Sequence, residues 1–293
     1  MKTDFSNTLR FLPLELEQIQ QVEDIRKSSG NTLYVYSFPS LFAWQADEEY
    51  SICIIDDAFI VKNGAEGDNA YLFPCGTDRG KRELIDALLE SEAPVFYAMR
   101  DEDKSFLEKE YPQRFSFDEC RDEFPYLYDR EAQLALSGKD YKSLRHQINL
   151  GKAVADVWQE ETLTDENAHR AIALNERWLS ERSYINAADT RAAETALNNF
   201  SALSMWGMLF KADGKDIAYV AGAFVTPEIF DVSFCKVLDN RCDCYIKWAL
   251  YRALPKEVKI VDSEEDLGLE GLRKHKLLRR PKELTRIWKG IYI

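Results

Sequence analysis

The chain has 293 residues, 45% hydrophobic and 30% charged, which is long enough for two domains that each bury a core. A formal net charge of −13 and a pI near 4.9 exclude a protein that meets nucleic acid with its whole surface, though not one with a local basic groove. No stretch reaches the ~18–20 apolar residues of a membrane span, and the start, MKTDFSNTLRFLPLELEQ, lacks the apolar run and cleavage site of a secretory signal. The cysteines Cys53, Cys75, Cys120, Cys235, Cys242 and Cys244 are too dispersed for a disulfide framework, so a cytoplasmic protein with reduced thiols is expected.

The apolar spacing of 14–27 predicts a surface helix, and FPSLFAW (38–44) a short second one. Three strands follow at 50–55, 58–63 and 70–73, separated by turn-like residues. Then come a helix at 81–91, a strand at 94–100, a helix at 101–111 and two strand-like pieces near 114–118 and 125–128. A helical lead-in at 138–152 opens the second half. A strand at 155–160, helices at 164–181 and 188–200, and strands at 205–212, 216–225 and 229–237 follow. A helix at 244–254, a strand at 258–262, a helix near 267–277 and a last strand over 284–293 close the chain. Both halves thus read helix, helix, three strands, helix, strand, helix, strand. The expected fold is α+β, with two tandem domains at 1–124 and 125–293, each a mainly antiparallel sheet flanked by helices. This order resembles the GNAT acyltransferase fold, used twice.

In such a fold the turn after the third meander strand holds the cofactor pyrophosphate on glycines and free N–H groups. The second half's turn, Val237 to Cys244, has no glycine and carries Asp239 and Asp243, which repel an anion. The first half's turn, Pro74 to Arg82, suits an anion better, with Gly76, Gly80 and Lys81. It also reads as a plain glycine turn with solvated charges. Two basic islands stand out. Lys139, Lys142, Arg145, His146 and Lys152 form one, with Lys142, Arg145 and Asn149 on one helix face. RKHKLLRRPK (273–282) forms the other. Both suit phosphates, and both also fit solvated helix faces.

The segment DSEEDLGLEGLRKHK (262–276) is the most informative. Gly268 and Gly271 near a helix start would cost roughly 1 kcal/mol each inside the helix, which points to a close approach to the backbone there. Glu264 and Asp266 are candidates to orient or deprotonate an acceptor, or to cap the helix. Arg273 and Lys276, three apart, are candidates to hold phosphate or an oxyanion. A zinc site from Cys235, Cys242 and Cys244 lacks a fourth ligand, so no metal is expected. No nucleophilic triad is recognisable.

Pro74 with Gly76, Tyr126-Leu127-Tyr128-Asp129, Leu136-Ser137-Gly138-Lys139, Arg145-His146 with Asn149, and Glu264-x-Asp266-Leu267-Gly268-x-x-Gly271-Leu272-Arg273-x-x-Lys276 with Pro281 carry a family resemblance. In that order they resemble bacterial proteins similar to the C-terminal catalytic domain of phosphatidylglycerol lysyltransferase. The resemblance implies a tandem GNAT-like fold and aminoacyl transfer from aminoacyl-tRNA to a lipid headgroup hydroxyl. Asp262 stands where the family usually has Asn, and the membrane-embedded half of lysyltransferases has no counterpart in this sequence. The expected activity is acyl or aminoacyl transfer to an amine or hydroxyl. The donor would be aminoacyl-tRNA or an acyl-CoA, with no tightly bound cofactor. Expected partners are a small-molecule or lipid-headgroup acceptor and a tRNA 3′ end, not DNA. The expected site is Glu264, Asp266, Arg273 and Lys276, with Lys139, Lys142, Arg145, Asn149, Gly268, Gly271, Gly76 and Lys81 binding substrate or anion. The alternative is a non-catalytic nucleotide-, tRNA- or peptide-binding protein on a degenerate acyltransferase fold.

Overall fold

A computed structural model of the chain describes residues 9–181 and 187–293. Residues 1–8, the first part of the stretch that lacks the pattern of a secretory signal, lie outside the described residues. The chain forms two units. One runs to Arg121 and regains Arg286–Ile293, and the other is Asp122–Thr285.

In the first unit α1 (Ile19–Ser28) and α2 (Phe38–Trp44) precede β1 (Tyr50–Ile55), β2 (Ala58–Asn63) and β3 (Ala70–Gly76). α3 (Asp78–Leu89), β4 (Val95–Met99), α4 (Asp101–Glu110) and β5 (Phe115–Glu119) follow. α3 starts earlier than its apolar spacing suggests, because Thr77 accepts from the Gly80 N–H and caps it. β1, β2 and β3 form an antiparallel meander, and β3 pairs in parallel with β4 over Ala70–Leu72. The strand next to β4 is the last of the chain, β13 (Trp288–Tyr292), which separates β4 from β5. The sequence assigned this strand to the second half. Its alternating apolar face fits either sheet, and only pairing decides.

The second unit opens with β6 (Tyr126–Asp129), a short α5 (Arg130–Ala135) not anticipated from the sequence, and α6 (Lys142–Lys152). β7 (Trp158–Thr162), α7 (Ala168–Ser180), α8 (Ala187–Asn198), β8 (Trp206–Ala212), β9 (Lys215–Thr226) and β10 (Ile229–Val237) come next. α9 (Asp243–Ala253), β11 (Ile260–Asp262), α10 (Glu270–Leu278) and β12 (Glu283–Leu284) complete it. The sheet order is β12-β6-β11-β10-β9-β8-β7, and only β10 and β11 run parallel. β6, expected to close the first half, lies inside this sheet between β11 and β12. Each sheet therefore has one plan: a meander, a parallel neighbour, then a strand from the far side of the sequence.

The parallel pairs are short. β10 meets β11 only over Ile229–Asp231 and Ile260–Asp262, while β10 runs on to Val237. Two strands that start together and stop pairing leave a gap in the sheet. In the first unit, Phe73 beyond the paired stretch packs its ring 5.5 Å from Phe96 and 6.0 Å from Phe106. In the second unit the last paired residues are Asp231 and Asp262.

A bulge fixes where this happens. Opposite Gly222 of β9, β10 carries an extra residue between Asp231 and Phe234. A Cβ on Gly222 would stand 1.8 Å from the Asp231 carbonyl oxygen, so the bulge requires glycine there. Gly222→Ala should lower stability by about 1–3 kcal/mol, read as a shift of the urea midpoint. An unchanged midpoint would mean that the bulge is not held by this contact.

Candidate functional site

Asp231 and Asp262 are register partners on adjacent strands, 1% and 2% exposed. Asp231 Oδ2 accepts from the Ser233 hydroxyl at 2.7 Å, and its buried Oδ1 has no partner among the described residues. Asp262 Oδ1 accepts from the Glu264 N–H at 2.8 Å. Glu264, half-buried, holds a left-handed φ of 57°. Burial raises all three carboxyls. Asp231 is pushed well above the carboxylate range, with the neighbouring Asp262 adding to the effect. Asp262 rises to about 7. Glu264 also goes well above its usual value, helped by the charges of Asp231 and Glu265. Like charges crowded out of water cannot all ionise, so the group holds protons near neutrality.

The loop from Ser263 to Leu269 presents Glu264. Lys276, 6% exposed, donates to the carbonyls of Ser263, of Glu264 at 3.1 Å and of Glu265 at 2.5 Å, which uses all three of its N–H bonds. Burial pulls its amine down to about 8, with Lys247 and Arg279 adding to the shift against Glu264 and Glu265. Asp266, fully buried, accepts from Arg273 Nε and Nη2 at 2.8 Å, from the Tyr126 hydroxyl at 2.5 Å and from the Gly268 N–H at 3.0 Å. These donors, Arg273 foremost, hold it well below the carboxylate range. A carboxylate so held is a poor proton acceptor, and what remains to it is to orient the loop. Arg273 also bonds Asp122 at 2.6 Å. Gly268 has φ 71°, and a Cβ there would lie 2.7 Å from the Asp122 carboxylate. Gly268 precedes α10, and Gly271 faces open space. The spacing of the motif is thus the spacing of a braced turn.

The other expected residues lie elsewhere. Lys139, Lys142 and Asn149 are exposed, and Arg145 is spent on the carbonyls of Leu136 and of Gly138 at 2.8 Å. The basic island at 273–282 is smaller than its composition suggests, because Lys276 and Arg279 are buried and Arg273 is paired. Gly76 and Lys81 belong to the first unit. A Cβ on Gly76 would lie 2.3 Å from the Asp57 carbonyl, so strand packing explains the glycine. Lys81 faces Asp103 at 3.5 Å and the rings of Phe73 and Phe106. At the start of α3, Asp57 accepts from Thr77 Oγ1 at 2.6 Å and from Arg79 at 3.0 Å, so a side-chain carboxylate already stands where an anion was expected.

The turn after β10 is closed as well. Asp239 is bound by Arg241, and a Cβ on Gly151 of α6 would lie 2.7 Å from the Arg241 carbonyl. Asp243 O, Cys244 Sγ and His275 N fall within 4.8 Å of one another, a grouping with metal-ligand chemistry that the sequence did not suggest. The Lys247 ammonium already sits 2.7 and 2.9 Å from the two oxygens of Asp243. Asp231 and Asp262 were missed too. The available signal was an aspartate inside an apolar strand, IFDVSF, and one ending another, VKIVD.

The family described as phosphatidylglycerol lysyltransferase, C-terminal, matches residues 26–288. No curated protein matches the chain. A conserved protein of unknown function from Bacteroides thetaiotaomicron superposes with a TM-score of 0.89 at 25% identity, over 98% of this chain and 100% of that one. L-PGS from Bacillus licheniformis gives 0.66 at 11%, over 93% and 91%. FemX gives 0.62 at 10%, over 97% of each. The fold is tandem GNAT-like, and no helix among the described residues is long and apolar enough to cross a membrane.

Between pH ~4 and about 7 the raised carboxyl of Asp262 is protonated in the folded chain and ionised in the unfolded one, so stability falls as pH rises through that window. Asp262→Asn removes this contribution. Between about pH 5 and about pH 8, urea titrations should show the variant losing less stability than the parent, by more than about 1 kcal/mol. Equal losses would mean that Asp262 is already ionised in the folded chain at the lower pH.

Proposed function

The chain belongs to the phosphatidylglycerol lysyltransferase C-terminal family, and from that membership we propose that it transfers an aminoacyl group from aminoacyl-tRNA to a hydroxyl or amine acceptor. The observation that carries this reading is the group of proton-holding carboxyls, Asp231, Asp262 and Glu264, at the point where β10 and β11 part. An ammonium such as an aminoacyl group carries would displace the proton of Asp231 and pair with its Oδ1, which has no partner among the described residues.

In the proposed reaction the acceptor attacks the ester carbonyl of the donor. The new acyl bond forms as the bond to the tRNA 3′ oxygen breaks. Glu264, which holds a proton near neutrality, gives it to the departing 3′ oxygen as it takes the acceptor's proton, and so ends as it began. Asp266, Arg273 and Lys276 act by holding the turn that aims Glu264. The closed turn at Asp239 and Asp243 favours this donor over an acyl-CoA, since it offers carboxylates where a pyrophosphate would need free N–H groups.

The purified protein should move label from aminoacyl-tRNA, not from acetyl-CoA, into a lipid and small-molecule extract. Glu264→Gln should slow that transfer by roughly 10²–10⁴-fold, and Asp231→Asn should weaken use of the donor. Transfer from acetyl-CoA alone, or full activity of Glu264→Gln, would sink the proposal.

A further inference from the structure

A second polar cluster lies in the second unit, and the reaction above makes no use of it. On α9, Asp243, Lys247 and Tyr251 follow one another at four-residue steps and share one face. On α10, His275 and the C-cap Arg279 do the same. The two faces meet. His275 Nε2 lies 2.7 Å from Asp243 Oδ2 and 3.4 Å from Lys247 Nζ, and Arg279 Nη2 donates to the Tyr251 hydroxyl. The Arg279 guanidinium also lies over the Tyr128 ring, 4.2 Å from its centre.

The charges of this cluster do not cancel. Asp243 is held ionised by Lys247 and His275 against the burial that would raise it. His275 gains from its bond to Asp243, yet burial and the cations Lys247 and Arg279 bring it below its usual value. One carboxylate, Asp243, stands among the cations Lys247 and Arg279. Arg279 is 3% exposed, forms no ion pair among the described residues, and has a buried Nη1 with no hydrogen-bond partner. Stacking on Tyr128 offsets part of the cost of burying that charge, but does nothing for the N–H groups of Nη1. A guanidinium edge with unused donors, in a cluster with surplus positive charge, matches an oxyanion in charge and in geometry.

We infer that Arg279, backed by Lys247, forms a receptor for a small oxyanion group, the carboxylate or phosphate of a ligand. His275 and Asp243, 29% and 22% exposed, are members of this cluster that reach solvent. The inference does not rest on aminoacyl transfer, since the surplus charge is present whatever the reaction.

The test is thermal melting of the full chain in sodium phosphate or sodium acetate, against sodium chloride at equal ionic strength. A saturable rise in Tm with an oxyanion is expected for the parent, and its loss in Arg279→Met. A larger rise with phosphate assigns a phosphate ligand, and a larger rise with acetate a carboxylate. No rise above the chloride control in the parent, or a rise that survives in Arg279→Met, would overturn the inference. If Arg279→Met does not fold, parent crystals soaked in sodium bromide decide. An anomalous peak beside Arg279 Nη1 supports the receptor, and peaks confined to the surface refute it.

Discussion

One ammonium group grips three successive carbonyls. Lys276 reaches from α10 to Ser263, Glu264 and Glu265, and in doing so holds the chain in a turn that includes left-handed residues at Glu264, Leu267 and Gly268. Non-glycine residues at positive φ cost free energy unless their surroundings over-determine them. Here Lys276 fixes the carbonyl side of the turn, while Asp266 ties Arg273, Tyr126 and the Gly268 N–H to the other side. The placement of Glu264 beside Asp231 and Asp262 depends on this arrangement. Burial brings the lysine down to about 8, which still leaves it charged near neutral pH.

The two units share a strand plan but differ in what fills the parting of their parallel strands. Aromatic rings fill it in the first, and carboxyls in the second. Apolar packing at such a place adds to a core and needs no partner. Buried acids there oppose folding and persist where something else requires them. The contrast supports assigning the proposed chemistry to the second unit, without any appeal to surface shape.

Much of this was legible in the sequence. The α2, β1 and β2 boundaries read from apolar periodicity coincide with those of the structure, because each is a short amphipathic run bounded by turn residues. The 264–276 motif could be read as a special turn because Gly268 and Gly271 cannot be explained by a regular helix. The roles within it could not. Nothing in a linear sequence says that Lys276 points inward while Lys274, two residues away, points out. Asp231 showed only as an aspartate inside an apolar strand, because its importance comes from its register opposite Asp262, and register is a property of pairing rather than of composition. Nor does the composition of the basic island at 273–282 tell which of its cations the fold buries, Lys276 and Arg279 among them.

The strand exchange bears on the order in which the chain can assemble during synthesis. β4 and β5 of the first unit are not hydrogen-bonded to each other, and the strand between them is Trp288–Tyr292. Until those residues have left the ribosome, the first sheet has unpaired edges at its centre and the second already holds β6. A chain that usually matures from its beginning must here finish its first unit last. Meanwhile it carries exposed strand edges that invite pairing with other chains.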